Sequence, residues 1–464
     1  MTLLGDFAVV LAGLAVATAA GGLATRRWAG TLTLRERLAW ALAGGLLVQA
    51  ACLLALMAMG IRPGPLSLLL AEGIVAAVAL AGRRRQIAAP ARPASDRSAR
   101  TLVVALVGVA GAAWLIFLVG AVSDSMWSTD YLAFWGYKGK IVFLTGEIPK
   151  RLFQDPALYF AHREYPILVP LSLAALASWL RDWNDQALAV FFPVCALATL
   201  LAISGFLSRR VSALAGAAAA ALASLCFFLY RPANAGTAEV PFALGLVLLV
   251  SAAVDFARRD GASSVARLAV ASLFCSVLKQ EGTLFVFLVA GALLLQLRRE
   301  DARAGRRAAA ALLLPASAHW VVLYLLRGNQ TRRDFDFTLF TPARWSELPP
   351  IFGSVAGRMF GTEARQALAG LLAIAVFLIV TKRGVADPLL KVFAVQMFFY
   401  AVAFTVSSFD PMYAIDGAFR RITMSLFPAF AMVLCARLAG RTPESGMARV
   451  GPPVERPGGD SGRG

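Results

Sequence analysis

Long apolar runs recur along the whole chain, and short polar segments rich in arginine separate them. A run of about 17–25 apolar residues is long enough for an α-helix to cross the hydrocarbon core of a membrane. The pattern predicts an all-α integral membrane protein with about thirteen membrane-spanning helices. The expected spans are 3–24, 38–59, 64–82, 101–122, 186–207, 211–230, 240–257, 264–278, 282–297, 308–326, 366–381, 387–407 and 420–438.

The composition agrees with this interpretation. Of the 464 residues, 59% are apolar and only 16% are charged, which is too little polar surface to cover a soluble protein of this length. The net charge of +18 comes from arginines clustered between the apolar runs, as in cytoplasmic loops. This arrangement favours a membrane as the partner and argues against nucleic acid.

The apolar run 165–180 is short and carries Pro166 and Pro170 near its start. If it crossed the membrane, the arginine clusters around 209–210, 258–259 and 298–307 would all lie outside. If it does not cross, these clusters lie inside, as the charge bias of membrane proteins requires. We therefore expect 165–180 to be a juxtamembrane or re-entrant helix in a large outer loop, 123–185.

The outer loop is aromatic and amphipathic, as is typical of segments at the membrane–water interface. It predicts an interfacial helix from about Asp130 to Leu144 that ends at Gly146. Asp130 would stand near the start of this helix, where a carboxylate interacts favourably with the helix dipole.

Several short motifs occur in a fixed order on the expected outer side. They are Asp130-Tyr131, Gly146-Glu147-Ile148-Pro149, Tyr165-Pro166-Ile167-Leu168, Ala238-Glu239-Val240-Pro241, Lys279-Gln280-Glu281-Gly282 and Arg420-Arg421 with Pro428. In this order they resemble the GT-C superfamily of membrane glycosyltransferases. The resemblance is greatest to the branch that contains protein O-mannosyltransferases and the aminoarabinose transferase of lipid A. In that family's Tyr/Lys-Pro-Pro-Leu segment, the second proline is replaced here by Ile167.

The resemblance implies transfer of a sugar from a polyprenyl-phosphate donor to a lipid, glycan or protein acceptor. It places the protein in a bacterial-type inner membrane, with its active site facing the periplasm or exterior. It also implies a catalytic module over 101–438. The six arginines of 83–100 predict that the N-terminal helices over 1–100 carry a basic cytoplasmic loop, and the tail over 439–464, rich in Gly, Pro and Arg, is expected to be disordered and cytoplasmic. No cofactor is certain, although a divalent cation (Mg²⁺ or Mn²⁺) would suit a departing phosphate.

Glycosyl transfer needs a base within hydrogen-bond reach of the acceptor. Asp130 is the first candidate for this base and Asp124 is the alternative. Each residue also has a simpler explanation, because an aspartate at this place can merely cap the first helix of the loop.

The departing phosphate needs positive charge. Lys279, Arg420 and Arg421 are the candidates, and the arginines lie outside against the usual charge bias. A second acid or a further substrate contact is expected among Glu239, Glu281, His162 and Tyr165. The simpler alternatives are a first-turn glutamate, a solvated turn and arginines that reach lipid headgroups.

Two other functions are compatible with a polytopic membrane protein. A transporter would place ionisable residues near the membrane midplane and often shows two similar halves. A flippase accessory or scaffold would need no catalytic residues. The clustering of acids at the outer edge and the long aromatic loop favour an enzyme over both, by analogy at the level of the fold.

Overall fold

The computed structural model describes residues 2–81, 99–162, 165–228, 235–258, 263–298, 301–327, 346, 349–351, 353–354, 388–405 and 420–439. Regular structure in these residues is helical, and they contain no strand. The prediction of an all-α protein is therefore confirmed for this part of the chain. The predicted span 366–381 and residues 440–464 of the predicted tail lie outside the described residues.

The α-helices of the described residues are numbered here in chain order. They are α1 (Leu3–Thr25), α2 (Leu34–Ala58), α3 (Pro65–Ala81), α4 (Arg100–Val122), α5 (Gly136–Thr145), α6 (Arg151–Gln154), α7 (Leu168–Leu180), α8 (Asp185–Leu188), α9 (Phe191–Arg210), α10 (Ala213–Phe228), α11 (Glu239–Ala257), α12 (Ser263–Leu278), α13 (Gln280–Leu297), α14 (Ala302–Arg327), α15 (Pro388–Thr405) and α16 (Arg420–Ala439). A π-helical turn, Tyr131–Trp135, precedes α5, and a 3-10 turn, Pro156–Ala161, follows α6.

Among the described residues, seven helices are long and apolar enough to cross a membrane. They are Leu3–Thr25, Leu34–Ala58, Arg100–Val122, Asp185–Arg210, Glu239–Ala257, Gln280–Leu297 and Ala302–Leu325. Shorter apolar helices occupy the remaining predicted spans within the described residues. The structure thus supports integration into a membrane, whereas the number of thirteen spans stays a prediction.

Close packing of α1 on α2 depends on glycine. A β-carbon at Gly21 would lie 2.1 Å from the Ala41 carbonyl oxygen, and one at Gly45 would lie 2.2 Å from the Ala17 carbonyl oxygen. Small residues let helix backbones approach closely in a membrane, where van der Waals packing must hold helices together. The N-terminal helices therefore form a tight pair, and both also contact α7.

One end of the bundle, which we call the arginine end, is held together by buried ion pairs. Asp255 on α11 accepts hydrogen bonds from Arg209 (Nη2–Oδ2, 3.0 Å), Arg210 (Nη2–Oδ1, 2.6 Å) and Arg267 (Nη1–Oδ2, 2.7 Å). Arg209 also pairs with Glu36, at 2.7 Å between Nη2 and Oε1. These contacts connect α2, α9, α11 and α12, so the residues around 36, 209 and 255 lie at the same end.

The opposite end, which we call the loop end, carries residues 123–185. The Gln186 side chain donates a hydrogen bond to the Val122 carbonyl oxygen at 2.7 Å, so the chain returns to the level at which α4 ended. The helix α7 lies between these points and is almost wholly buried. At about 1.5 Å per residue, its thirteen residues would span less than the hydrocarbon core. This geometry agrees with the prediction that 165–180 does not cross.

The helix predicted from about Asp130 to Leu144 is also present, while its position at a membrane interface stays a prediction. The π-helical turn begins directly after Asp130, and α5 continues to Thr145. Gly146 ends α5 with a φ of 68°, in the left-handed region that glycine adopts without strain. The sequence therefore located both ends of this element.

The placement of the two ends can be tested by labelling single cysteines with an impermeant thiol reagent. In a chain without its five native cysteines, Glu147→Cys and Asp182→Cys should react in intact cells, because both side chains are exposed at the loop end. Arg303→Cys should be protected, because Arg303 is exposed beyond the other end of α13.

Permeabilisation should make Arg303→Cys react, which is the control for its accessibility. Protection of both loop-end cysteines together with labelling of Arg303→Cys in intact cells would invert the orientation and contradict an outer loop over 123–185.

Candidate active site

A buried cluster of three charged side chains lies at the loop end, where α11 and α13 begin. The Lys279 ammonium lies 3.1 Å from Oε1 of Glu239 and 3.1 Å from Oε1 of Glu281. Lys279 and Glu239 are buried, whereas Glu281 is partly exposed. Each glutamate stands in the first turn of its helix, where the helix dipole favours a carboxylate. Since two carboxylates share one ammonium, the cluster carries a net charge of about −1.

A very short connection places Lys279. The helix α12 ends at Leu278 and α13 begins at Gln280, so Lys279 alone, with φ −149° and ψ 152°, forms the break between them. Gly282 allows this turn, because a β-carbon there would lie only 2.2 Å from the Cys275 carbonyl oxygen. The glycine of the Lys-Gln-Glu-Gly motif thus brings α13 against α12 and fixes the lysine between the two helices.

The outer loop contacts the segment before α11 through Tyr131. A β-carbon at Gly236, whose φ is +99°, would lie 2.7 Å from Cβ of Tyr131, and one at Gly136 would lie 2.5 Å from its ring. The Tyr131 hydroxyl donates a hydrogen bond to Asp185. Burial, and then the hydrogen bond and charge of Asp185, raise the pKa of Tyr131 well above its usual range. The neutral phenol therefore holds the loop against Gly236, which lies three residues before Glu239.

Asp130 precedes Tyr131 and is half-buried. Its side chain makes no capping hydrogen bond to the helix, and the Tyr131 backbone N–H donates to the Ser128 hydroxyl at 3.2 Å. Asp124 is exposed, and its Oδ1 accepts a hydrogen bond from the backbone N–H of Ser125 at 2.7 Å. The structure thus brings the Asp130 segment to the start of α11, whereas Asp124 is bonded to its own turn.

His162 and Tyr165 belong to an aromatic cluster on the outer loop. Their rings stack with centroids 4.6 Å apart, Tyr165 also stacks on Trp135 at 5.4 Å, and Phe134 meets His162 edge-on at 4.2 Å. Lys138, which is buried beneath the loop, donates a hydrogen bond to the His162 carbonyl oxygen at 2.7 Å. This bond accompanies a strained His162 backbone with a φ of 44°.

Arg420 and Arg421 are the first residues of α16, but their side chains lie outside the described residues. The helix itself packs against α10, α11 and α15. The helix therefore belongs to the same group of helices as the charged cluster.

The predicted Mg²⁺ or Mn²⁺ has no ready-made site in the described residues. No group of three or more histidine, cysteine, aspartate or glutamate side chains in that part of the chain could hold a metal ion. Glu239 and Glu281 already share the Lys279 ammonium. The residues that the structure describes therefore do not fit a divalent cation, and the function proposed below uses none.

The sequence analysis missed three buried polar residues near the charged cluster or in the outer loop. Lys138, on α5 within the outer loop, is fully buried, and its neighbours along the chain do not predict this. Gln396 and Tyr400 on α15 are buried close to the charged cluster. A glutamine and a tyrosine one helical turn apart in an apolar run were the available signal.

A cavity of about 630 Å³ lies elsewhere, between α1 and α2. Its lining is apolar apart from a few residues such as Arg26 and Arg37. These guanidinium groups donate to backbone carbonyl oxygens, Arg26 to Ala79 at 2.8 Å and Arg37 to Gly30 at 3.0 Å. The cavity therefore offers an apolar surface but none of the predicted catalytic residues.

No protein-family model matches the chain, and no match to a curated protein or a solved structure was found.

The tight turn at Lys279 predicts a specific effect of Gly282→Ala. The new methyl group must displace the Cys275 carbonyl, so the turn should open and the Lys279 ion pairs should lengthen. We expect a loss of about 1–3 kcal/mol in the free energy of unfolding, measured by thermal or chemical denaturation in detergent.

Gly291→Ala is the matched control on the same helix. A β-carbon there would meet nothing within 4 Å, and alanine is the better helix former. It should leave stability unchanged or slightly raised. Equal stability of both variants would show that Gly282 does not fix the turn.

Proposed function

We propose that this protein is a membrane glycosyltransferase that moves a sugar from a polyprenyl-phosphate donor to an acceptor on the extracytoplasmic side. The observation that supports this most is the buried pairing of Lys279 with Glu239 and Glu281 at the loop end. Asp130 belongs to the loop that packs on the segment before Glu239. A base, a cation and further carboxylates thus belong to one end of an apolar helix bundle, as such a reaction requires.

In this proposal Asp130 is the general base. The Asp130 carboxylate is half-buried in the loop, and in this proposal it accepts a proton from the acceptor's hydroxyl or amino group. Tyr131, locked by Gly136, Gly236 and Asp185, holds the backbone beside it in place. Asp124 remains the alternative base.

The donor phosphate binds at the N-termini of α11 and α13 in this proposal. Lys279 contacts it there, and the two helix dipoles add positive potential. Because the cluster of Lys279 with its two glutamates is net negative, the phosphate needs a further cation. Arg420 and Arg421 provide it from the start of α16, which packs on α11.

The sugar and the acceptor make the remaining contacts. Glu239 and Glu281 accept hydrogen bonds from hydroxyl groups, while the partly exposed His162 and Tyr165 are the further substrate contacts. The apolar helices around the site suit the polyprenyl chain. We further propose a bacterial-type inner membrane, with the site open to the periplasm and a lipid, glycan or protein as acceptor.

A transporter is the second candidate because Glu72 on α3 is fully buried within the bundle. Gln49 on α2 donates to Glu72 at 3.4 Å, so this carboxyl group has a partner that the sequence did not reveal. Intramembrane ionisable residues often mark transport pathways. One carboxyl–amide pair, however, gives no second ionisable partner for an ion relay.

The proposal predicts that Asp130→Asn abolishes sugar transfer. The change keeps the size of the side chain and removes the base, so turnover should fall about 10²- to 10⁴-fold. Purified protein in proteoliposomes would be supplied with a panel of labelled polyprenyl-phosphate sugars and envelope lipid acceptors, and the transferred label would be counted.

Asp182→Asn is the control, since Asp182 is exposed in the same outer loop. Wild-type turnover by Asp130→Asn, with loss in Asp124→Asn, would move the base to Asp124. Turnover retained by both variants would refute a carboxylate base in this loop, and absence of transfer by the wild-type protein would contradict the proposed function.

A further inference from the structure

Two polar side chains on α15 are buried one helical turn apart, close enough for Gln396 to interact with the Tyr400 hydroxyl. Gln396 is 0% exposed and Tyr400 is 4% exposed. Neither the amide nitrogen and oxygen of Gln396 nor the Tyr400 hydroxyl makes a hydrogen bond of good geometry with any described residue. Leaving such groups unpaired in an apolar interior is destabilising, so a native structure that keeps them calls for an explanation.

These residues face the start of α13. On α15, Phe393 packs edge-on against Phe285 of α13, with ring centroids 5.4 Å apart. Gln396 and Tyr400 follow Phe393 on α15, and a spacing of four residues places those two on one helix face. Tyr400 is close enough to Glu281 and Glu239 to interact with them electrostatically.

The polar groups of Gln396 and Tyr400 and the charged cluster therefore belong to one polar region between α13 and α15, to which α11 contributes Glu239. Its lining offers two carboxylates, one ammonium, an amide and a phenol. Gln396 and Tyr400 offer no positive charge to an anion, whereas Lys279 does. A neutral group with several hydroxyls fits better, because each hydroxyl can donate to a carboxylate and accept from the amide or phenol.

We propose that Gln396 and Tyr400 line the subsite for the sugar ring of the donor, next to Lys279, and select among sugars by their hydroxyl pattern. This inference rests on the proposed glycosyltransferase function and deepens it. A site built to pair with a particular hydroxyl rejects a donor that lacks this hydroxyl, because its own buried polar groups are then left unpaired.

The test compares donors that differ by one hydroxyl. The polyprenyl-phosphate sugar that the wild-type protein transfers best is assayed beside its mono-deoxy analogues, with Tyr400→Phe and Gln396→Met. Each variant should lower kcat/KM for the full sugar about tenfold or more. For the one analogue that lacks the contacted hydroxyl, the loss should be small, so discrimination between the two donors should collapse.

Gln49→Met and Tyr324→Phe are the matched controls. Gln49 is a fully buried glutamine on α2, bonded to Glu72, and Tyr324 is an exposed tyrosine on α14. Both should leave discrimination unchanged.

A purely structural role would lower kcat/KM for every donor by the same factor, and that result would overturn the subsite. Unchanged discrimination in Tyr400→Phe, which removes a single oxygen atom and keeps the ring, would overturn it as well. Either outcome would leave the proposed function standing, since wild-type transfer is measured in the same assay. Absence of wild-type transfer would refute the proposed function and the subsite together.

Discussion

Asp255 accepts hydrogen bonds from three arginines at the arginine end of the bundle, and Arg209 connects this group to Glu36. A charge buried among apolar helices is tolerated only when it is paired. Arg209 and Arg210 at the end of α9 and Arg267 near the start of α12 must therefore meet Glu36 and Asp255 at one end. This requirement fixes the direction of α2, α9, α11 and α12 relative to one another. Removing one partner of such a buried pair typically lowers stability by about 3–5 kcal/mol.

Buried charges must also be paired at the loop end, where one cation lies between two carboxylates. There one lysine serves two glutamates, so Lys279, Glu239 and Glu281 cannot separate without burying an unpaired charge. Once the arginine end sets the helix directions, α11 and α13 both begin at the loop end, and their first turns meet. The outer loop is joined to this point by the contact of Tyr131 with Gly236. The candidate site is thus a consequence of how the bundle pairs its charges.

Much of the fold could be predicted because the sequence signals of a membrane helix are local. Apolar runs and arginine clusters located the helices, and Gly146 located the end of α5. The pairing of Lys279 with Glu281 is equally local, because the two residues share one turn. Contacts between distant segments could not be predicted. No pattern near Glu72 indicates Gln49 as its partner, and none near Tyr131 indicates Asp185. The role of Gln396 could not be predicted for the same reason, because it depends on contacts with residues of other helices.

A structure of the protein with a polyprenyl-phosphate sugar bound, solved by cryo-electron microscopy in a lipid nanodisc, tests the central claim most directly. The account predicts the phosphate within hydrogen-bond distance of Lys279, the sugar ring against Gln396 and Tyr400, and Asp130 facing the anomeric carbon from the acceptor side. A donor bound with its phosphate at the arginine end, or in the cavity between α1 and α2, would contradict it.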